Sequence, residues 1–184
     1  MTNEYLTFAE HLADLARPIA LKYFRQPLEV EEKLDLSPVT QADREIEQTL
    51  REAIIARYPE HGVFGEEGGW YQENATMQWV IDPIDGTRAF IAGENTFTTL
   101  IGLCADEVPI LGVIDQAVMN ERWVGARPYT RHSAPATSNV TSLKDARMST
   151  TSMPHFDASE RMAFDHVKAQ AASCRLGGDA YLYG

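Results

Sequence analysis

The sequence is poor in cysteine, in basic residues and in long apolar runs. Its two cysteines, Cys104 and Cys174, form no Cys-x-x-Cys motif, which argues against a disulfide framework and a zinc site. Lysine and arginine number 16 against 27 acidic residues, so a net charge of −11 disfavours nucleic acid and membrane surfaces as partners. No apolar run is long enough to cross a bilayer and no basic leader opens the chain, so we expect a cytoplasmic protein.

Glycine-rich nucleotide motifs are also missing. Neither G-x-G-x-x-G nor G-x-x-x-x-G-K-S/T occurs, which disfavours a nucleotide-binding module. The apolar fraction of 44% is sufficient for a folded core. A length of 184 residues allows one large domain, or one domain and part of another.

The apolar spacing predicts an α/β (α+β) fold. Apolar residues recur at steps of three and four where we expect helices, and form compact runs where we expect strands. The predicted helices lie at about 4–24 with a kink at Pro18, from Thr40 to Pro59, and near 158–171. The predicted strands lie at 28–33, at 63–64, at 79–81 with an end at Asp82-Pro83, and in several runs within 97–126.

Three carboxylates are spaced so that one turn could bring them together. Asp82 and Asp85 follow the predicted strand, and Glu66 lies in the GEEGG segment at 65–69. Clustered carboxylates repel one another without a cation, and oxygen ligands, including the Ile84 carbonyl, suit Mg²⁺ better than zinc. The spacing therefore predicts a metal site. A solvated acidic turn is the alternative, because each motif alone is common in surface loops.

Two neighbouring motifs extend this hypothesis. If a helix begins at Gly86-Thr87, its free amides form an anion site beside the metal, a combination typical of phosphoryl chemistry. Upstream, the Thr40-x-x-Asp43 spacing fits a helix capping box.

These motifs resemble a known family. GEE followed by WVIDPIDGT (79–87) resembles the signature of the inositol monophosphatase family of metal-dependent phosphatases, and TQAD (40–43) resembles its upstream Thr/Asp element. The resemblance continues through TLIGL, ILGVIDQ and ERWVGA to GGDAY, essentially the whole chain. DGTRAF, GVIDQ and GGDAYLYG are most similar to the histidinol-phosphate phosphatase branch. The family implies a layered α-β-α-β-α sugar-phosphatase fold.

The resemblance implies a role for each matching residue. The metal ligands would be Glu66, Asp82 and the Ile84 carbonyl for a first Mg²⁺, and Asp82 with Asp85 for a second, with Mn²⁺ as a substitute. The catalytic residues would be Asp43 and Thr87, which hold and help deprotonate the attacking water, and Glu67. The substrate-binding residues would be Gly86, Thr87, Arg88, Gly178 and Asp179. For Arg88, a structural salt bridge is the alternative.

The implied domains are unequal. Residues 127–147 are rich in Ser, Thr, Pro and Ala, which is typical of a connection. We expect an N-terminal metal-binding α+β domain at 1–130 and the start of a C-terminal α/β domain at 131–184. The family's later Trp-Asp element, whose aspartate completes the second metal site, does not occur in this sequence. We therefore expect a chain truncated at its C-terminus, with an incomplete second domain.

The implied function is hydrolysis of a small phosphorylated metabolite by a metal-activated water. Histidinol phosphate, an intermediate of histidine biosynthesis, is the first choice of substrate. Inositol monophosphate and 3′-phosphoadenosine nucleotides are alternatives. A catalytically dead, metal-binding fragment is another, because the late aspartate is missing. Whether the chain forms a homodimer stays open.

Overall fold

A computed structural model describes residues 2–32, 38–127, 137–153 and 156–183. Its architecture is α+β, as the sequence predicts. The helices are α1 (Thr2–Tyr23), α2 (Gln41–Arg57), α3 (Thr87–Ala92) and α4 (Ala158–Lys168), with short 3₁₀ helices at Leu143–Asp145 and Asp179–Tyr183. The strands are β1 (Val30–Glu32), β2 (Pro38–Thr40), β3 (Gly62–Gly65), β4 (Gly69–Tyr71), β5 (Met77–Asp85), β6 (Thr98–Ala105), β7 (Val108–Gln116), β8 (Glu121–Ala126), β9 (Arg147–Thr150) and β10 (Ser173–Leu176).

A six-stranded mixed sheet forms the centre of the chain. Its strand order is β4-β3-β5-β6-β7-β8, in which β3 and β5 are parallel and every other neighbouring pair is antiparallel. Two small sheets lie outside it, antiparallel β1–β2 and parallel β9–β10. No helix in the described part of the chain combines the length and apolarity that a bilayer crossing requires.

The core lies between the sheet and the first two helices. Helices α1 and α2 pack on each other and on the central strands β5, β6 and β7. Small residues on α1, such as Ala13 and Ala16, are fully buried and allow close approach, while Leu50 and Ile54 fill the same layer from α2. Trp79 is fully buried on β5. Burial of large apolar side chains such as Leu50 and Ile54 contributes about 1.5–3 kcal/mol each, which helps to hold α2 against β5.

A buried ion-pair cluster joins α1 to the far edge of the sheet. The Asp115 side chain on β7 is 1% exposed. Its oxygens accept hydrogen bonds from Arg17 on α1, at 2.5 and 3.0 Å, and from Arg122 on β8, at 2.6 Å. Arg122 also binds the exposed carboxylate of Asp14. The two guanidinium groups compensate the buried charge of Asp115.

Most predicted elements are confirmed, and one prediction is wrong. The strand predicted to stop at Asp82-Pro83 continues to Asp85 across an irregular step. Pairing with β6 outweighs the local tendency of proline to end a strand. Helix α1 is continuous across Pro18, and its kink remains a prediction. Lys33, in the first predicted strand, and much of the proposed domain boundary at residue 130 lie outside the described residues, so that boundary also stays a prediction.

Candidate metal centre

A bulge in β5 places Asp82 and Asp85 on the same side of the sheet. The residues paired with them on β6 are two apart, whereas Asp82 and Asp85 are three apart. Side chains alternate along a regular strand, so residues three apart would face opposite sides, and the extra residue cancels this difference. The Pro83 carbonyl at the bulge accepts a 2.8 Å hydrogen bond from the Thr99 hydroxyl. The predicted turn between the two aspartates is therefore a bulge within a strand.

Four acidic side chains meet at this end of β5: Asp43, Glu66, Asp82 and Asp85. Burial is the main cause that raises the pKa of each of the three aspartates, and the charge of Glu66 raises all three further. The pKa of Asp82 reaches about 8, through burial, the charges of Glu66 and Asp85, and a hydrogen bond with Glu66. The structure thus brings together the carboxylates that the sequence singles out.

One oxygen of Asp82 carries the strongest indication of a ligand. Its Oδ1 atom is buried and has no hydrogen-bond partner among the described residues. Leaving a buried acceptor unsatisfied costs about 1–3 kcal/mol, and more for a charged group. A divalent cation would satisfy this oxygen and relieve the repulsion between the carboxylates.

The chemistry of the donors fits Mg²⁺ or Mn²⁺. All the candidate donors are carboxylate or carbonyl oxygens, which these ions prefer. In the described residues, however, no group of three or more His, Cys, Asp or Glu side chains is arranged so that it could hold a metal ion as it stands. The metal site therefore stays a prediction, supported by charge and burial.

Asp43 is a helix cap and also a member of the acidic cluster. Its Oδ2 atom accepts hydrogen bonds from the Thr40 amide at 2.8 Å and the Thr40 hydroxyl at 2.5 Å. The Thr40 hydroxyl in turn accepts a bond from the Ala42 amide, which completes a capping box at the start of α2. The predicted capping box is confirmed. The charge of Glu66 also raises the pKa of Asp43, so Asp43 belongs to the acidic cluster while it caps the helix. The two roles are therefore compatible.

Helix α3 begins directly after the bulge, where the sequence predicts a helix start. Gly86 precedes it with φ +83°, a conformation that favours glycine. The Thr87 hydroxyl donates a 3.1 Å hydrogen bond to the Ile84 carbonyl, the oxygen proposed as a metal ligand. A carbonyl has two lone pairs, so this bond leaves one for an ion.

The Gly177–Asp179 turn reaches the cluster from the far end of the chain. All three of its residues have positive φ, which two glycines and an aspartate tolerate better than other residues. A Cβ atom on Gly86 would lie 2.6 Å from Asp179 Cγ, so the two segments are in close contact. Asp179 Oδ2 accepts a 2.9 Å bond from Thr96, a residue the sequence analysis did not select.

A cleft of about 620 Å³ opens beside this turn. Its lining includes Arg88, Glu94, Gly178 and Asp179. Three of the predicted substrate-binding residues therefore share one cleft, and Gly86 contacts its edge through Asp179. Glu94 is an additional acidic residue here that the sequence motifs did not indicate.

Glu47, a buried acid on α2, is a further residue that the sequence motifs did not indicate. Its carboxylate accepts hydrogen bonds from the backbone amides of Glu67 and Gly68, both at 2.7 Å. The available signal was its spacing, because Glu47 lies four residues after Asp43 and on the apolar face that continues to Leu50. The charge of the Glu67 side chain contributes to a raised pKa of Arg44. The catalytic role predicted for Glu67 stays a prediction.

Comparison with known proteins identifies relatives over nearly the whole chain. A model of the inositol monophosphatase family matches residues 1–182. The chloroplastic bifunctional phosphatase IMPL2 of Arabidopsis thaliana is 38% identical over 98% of this chain. A histidinol-phosphatase of Chlorobaculum parvum is 33% identical over 96% of it. This chain spans 54% of the Arabidopsis relative and 70% of the Chlorobaculum relative.

Solved structures agree with these matches. An inositol monophosphatase from Zymomonas mobilis has a TM-score of 0.88 and 40% sequence identity, over 100% of this chain and 72% of its own. An inositol monophosphatase from Thermotoga maritima has a TM-score of 0.86 at 23% identity, over 97% of this chain and 70% of its own, and supports the fold alone.

Proposed function

Because the chain belongs to the inositol monophosphatase family, we propose that it supplies the metal- and phosphate-binding part of a Mg²⁺-dependent phosphate monoester hydrolase. The observation that carries the proposal is the buried, unsatisfied Oδ1 atom of Asp82 within a cluster of four carboxylates. A cation is the simplest partner for an oxygen in such surroundings.

The proposed ligands follow from the cluster. Glu66, Asp82 and the Ile84 carbonyl would hold a first ion, and Asp82 and Asp85 would contribute to a second. Mn²⁺ is the expected substitute, because it accepts the same oxygen donors. When bound, the metal would polarise the phosphate and lower the pKa of the attacking water.

Asp43 and Thr87 are the proposed water-binding residues. Burial raises the pKa of Asp43, which brings this carboxylate closer to the range of an effective general base. The Thr87 hydroxyl is held by the Ile84 carbonyl, so its oxygen can accept a hydrogen bond from water. Glu67 is retained as a third catalytic candidate.

The phosphate and the organic part of the substrate would occupy adjacent regions. The amides of Gly86 and Thr87 would bind phosphate oxygens where α3 begins, next to the carboxylates. The organic group would lie with Arg88, Gly178 and Asp179 in the 620 Å³ cleft. The volume of this cleft suits a small metabolite.

Histidinol phosphate is the substrate we favour. Its organic part carries an ammonium group and an imidazole, and the carboxylates of Asp179 and Glu94 line the cleft. Opposite charges favour binding of a cationic group over a neutral polyol. The Chlorobaculum relative, a histidinol-phosphatase, supports the same choice. Inositol monophosphate is the second candidate, favoured by the 40% identical Zymomonas structure.

The test is a comparison of substrates with two versions of the protein. Phosphate release from histidinol phosphate and inositol 1-phosphate would be measured with Mg²⁺ and with a chelator. The assay would use this chain and a version extended at its C-terminus by the matching segment of the Zymomonas relative. We expect the extended version to prefer histidinol phosphate, and Glu94→Gln to raise KM for that substrate alone.

Other outcomes would change the assignment. A preference for inositol 1-phosphate would select the second candidate. Activity of the extended version alone, with Mg²⁺ binding by both, would mean that this chain is a metal-binding fragment without turnover. If neither folded version hydrolysed any ester with Mg²⁺, the proposed function would be wrong.

A further inference from the structure

We propose that Glu47 is a positioning residue that holds the turn carrying Glu66 and Glu67. This turn comprises residues 66–68, between β3 and β4. The inference rests on the proposed function, because it concerns where Glu66 is placed relative to the metal. Glu47 itself would contact neither the metal nor the substrate.

The Glu47 carboxylate binds the turn through both of its oxygens. The side chain is 4% exposed. Oε2 accepts the amide hydrogen of Glu67 and Oε1 accepts that of Gly68, each at 2.7 Å. Hydrogen bonds to a charged acceptor are stronger than neutral ones. Two of them, on successive amides, fix the orientation of the peptide groups that follow Glu66.

Arg51 compensates the charge of Glu47 from one helical turn away. Its Nε atom donates a 2.8 Å hydrogen bond to Glu47 Oε1. Its Nη2 atom also donates to the Gly69 carbonyl, at the start of β4. A buried carboxylate is costly unless it is paired, so Arg51 stabilises the buried position of Glu47 and also binds the first residue of β4, directly after the turn.

Two glycines of the GEEGG segment leave room for this carboxylate. A Cβ atom on Gly65 would overlap the Glu47 carboxyl group. A Cβ atom on Gly68 would lie 2.7 Å from Glu47 Oε1. Neither glycine has a positive φ, so close approach to Glu47 explains these two glycines better than backbone conformation does.

Helix α2 thus supplies two acids with different tasks. Asp43 lies in the acidic cluster, and Glu47, one turn further along the same face, lies against the turn that presents Glu66. The buried apolar residues of α2 fix the position of the helix, and the helix therefore holds both Asp43 and Glu47 in defined positions. Loss of Glu47 should therefore loosen Glu66 without removing any proposed metal ligand.

Glu47→Gln is the variant that tests this. Glutamine keeps the shape, but its NH₂ group must face either the Glu67 amide or both the Gly68 amide and Arg51, which share Oε1. Hydrogen exchange would be measured at the amides of Glu67 and Gly68 in the metal-free chain. We expect exchange about tenfold faster or more, the factor that corresponds to loss of one hydrogen bond to a charged group. Glu52→Gln, an exposed glutamate on the same helix, is the matched control and should leave exchange unchanged.

Titration with Mn²⁺ supplies the second measurement. We expect the Kd for Mn²⁺ to rise about tenfold in Glu47→Gln, as for other residues that orient a metal ligand, and to stay unchanged in Glu52→Gln. Exchange at the wild-type rate would overturn the proposal. Faster exchange with unchanged Mn²⁺ affinity would also overturn it, because Glu47 would then be merely structural.

Two further outcomes distinguish the positioning role from the proposed function. If the unmodified chain failed to bind Mn²⁺, the proposed metal site would be wrong, and the positioning role would fall with it even if the turn were held. If Glu47→Gln did not fold, Gly68→Ala would replace it, since its methyl group would push against Glu47 Oε1 from the other side. The folded Gly68→Ala chain must then show both changes, or the proposal fails.

Discussion

The backbone amide of Ala180 donates a 2.6 Å hydrogen bond to Asp85 Oδ2, which joins two residues 95 positions apart. Burial raises the pKa of Asp85, and this hydrogen bond opposes part of that rise because it favours the charged carboxylate. The residue preceding Ala180, Asp179, packs against Gly86. One contact therefore orients a proposed metal ligand and brings the substrate cleft next to it.

Replacing Asp82 by asparagine should weaken binding of Mg²⁺ and Mn²⁺ on the order of 100-fold or more, because a shared ligand of both proposed ions is lost. Calorimetric titration would measure the affinity. Asp106→Asn is the matched control, since Asp106 is exposed in the turn between β6 and β7 and asparagine tolerates its positive φ. Unchanged affinity in Asp82→Asn would rule out the assigned site.

Replacing Asp43 by asparagine separates its two roles. Asparagine can still cap α2 but cannot accept a proton as a base, so Tm should stay near that of the parent while kcat falls about 10²–10⁴-fold. The assay requires a version of the protein with measurable turnover. Asp157→Asn, at the cap of α4, is the control and should keep both values. Full activity in Asp43→Asn would leave Asp43 as a cap only.

Replacing Asp115 by alanine should destabilise the fold. It leaves Arg17 and Arg122 without their buried partner, so the free energy of unfolding should fall by about 3–5 kcal/mol. Urea denaturation would measure the change. Asp14→Ala removes only the exposed partner of Arg122 and should cost about 1 kcal/mol or less. Equal effects of the two substitutions would contradict the role given to Asp115.

The stability of the protein should depend on His61 below neutral pH. Burial lowers the pKa of His61, whose Nδ1 atom accepts a 3.1 Å hydrogen bond from the Trp79 indole. The unfolded chain therefore binds a proton more readily, so stability is complete above the unfolded pKa of about 6.5 and declines as the pH falls below it. Thermal melts from pH 7.5 to 5 should show a shallower decline in His61→Gln.

The matched control for that measurement is His166→Gln. His166 is exposed on α4, and its replacement should leave the pH profile of the melting temperature unchanged. A profile of His61→Gln that matched the parent would show that protonation of His61 does not limit stability.

The sequence predicted those features that depend on local patterns. Thr40 caps α2 as its spacing with Asp43 indicates, and the period of three and four locates α1 and α2. The motif also selected four acids that the structure places together. The cytoplasmic location stays a prediction from composition, and the formation of a homodimer stays open.

Features that depend on distant pairing were not predictable in this way. Asp82-Pro83 has the composition of a strand end, and only the pairing of β5 with β6 carries the strand across it. Glu47 has the composition of a surface helix residue, and its burial depends on amides supplied by a turn about 20 residues later. In both cases tertiary contacts override a local preference.

The extra residue in β5 also determines which genetic changes would separate the fold from its chemistry. An in-frame gain of one codon between Thr98 and Leu100 on β6 would let the two strands pair without a bulge, and regular alternation over three residues would then turn Asp82 and Asp85 to opposite faces of the sheet. The apolar residues on either side of the insertion could keep their pairing in the sheet. A substitution at Pro83 keeps the residue count and so keeps both carboxylates on one side. For these two paired strands, the number of residues therefore matters to the chemistry as much as the identity of the residues does.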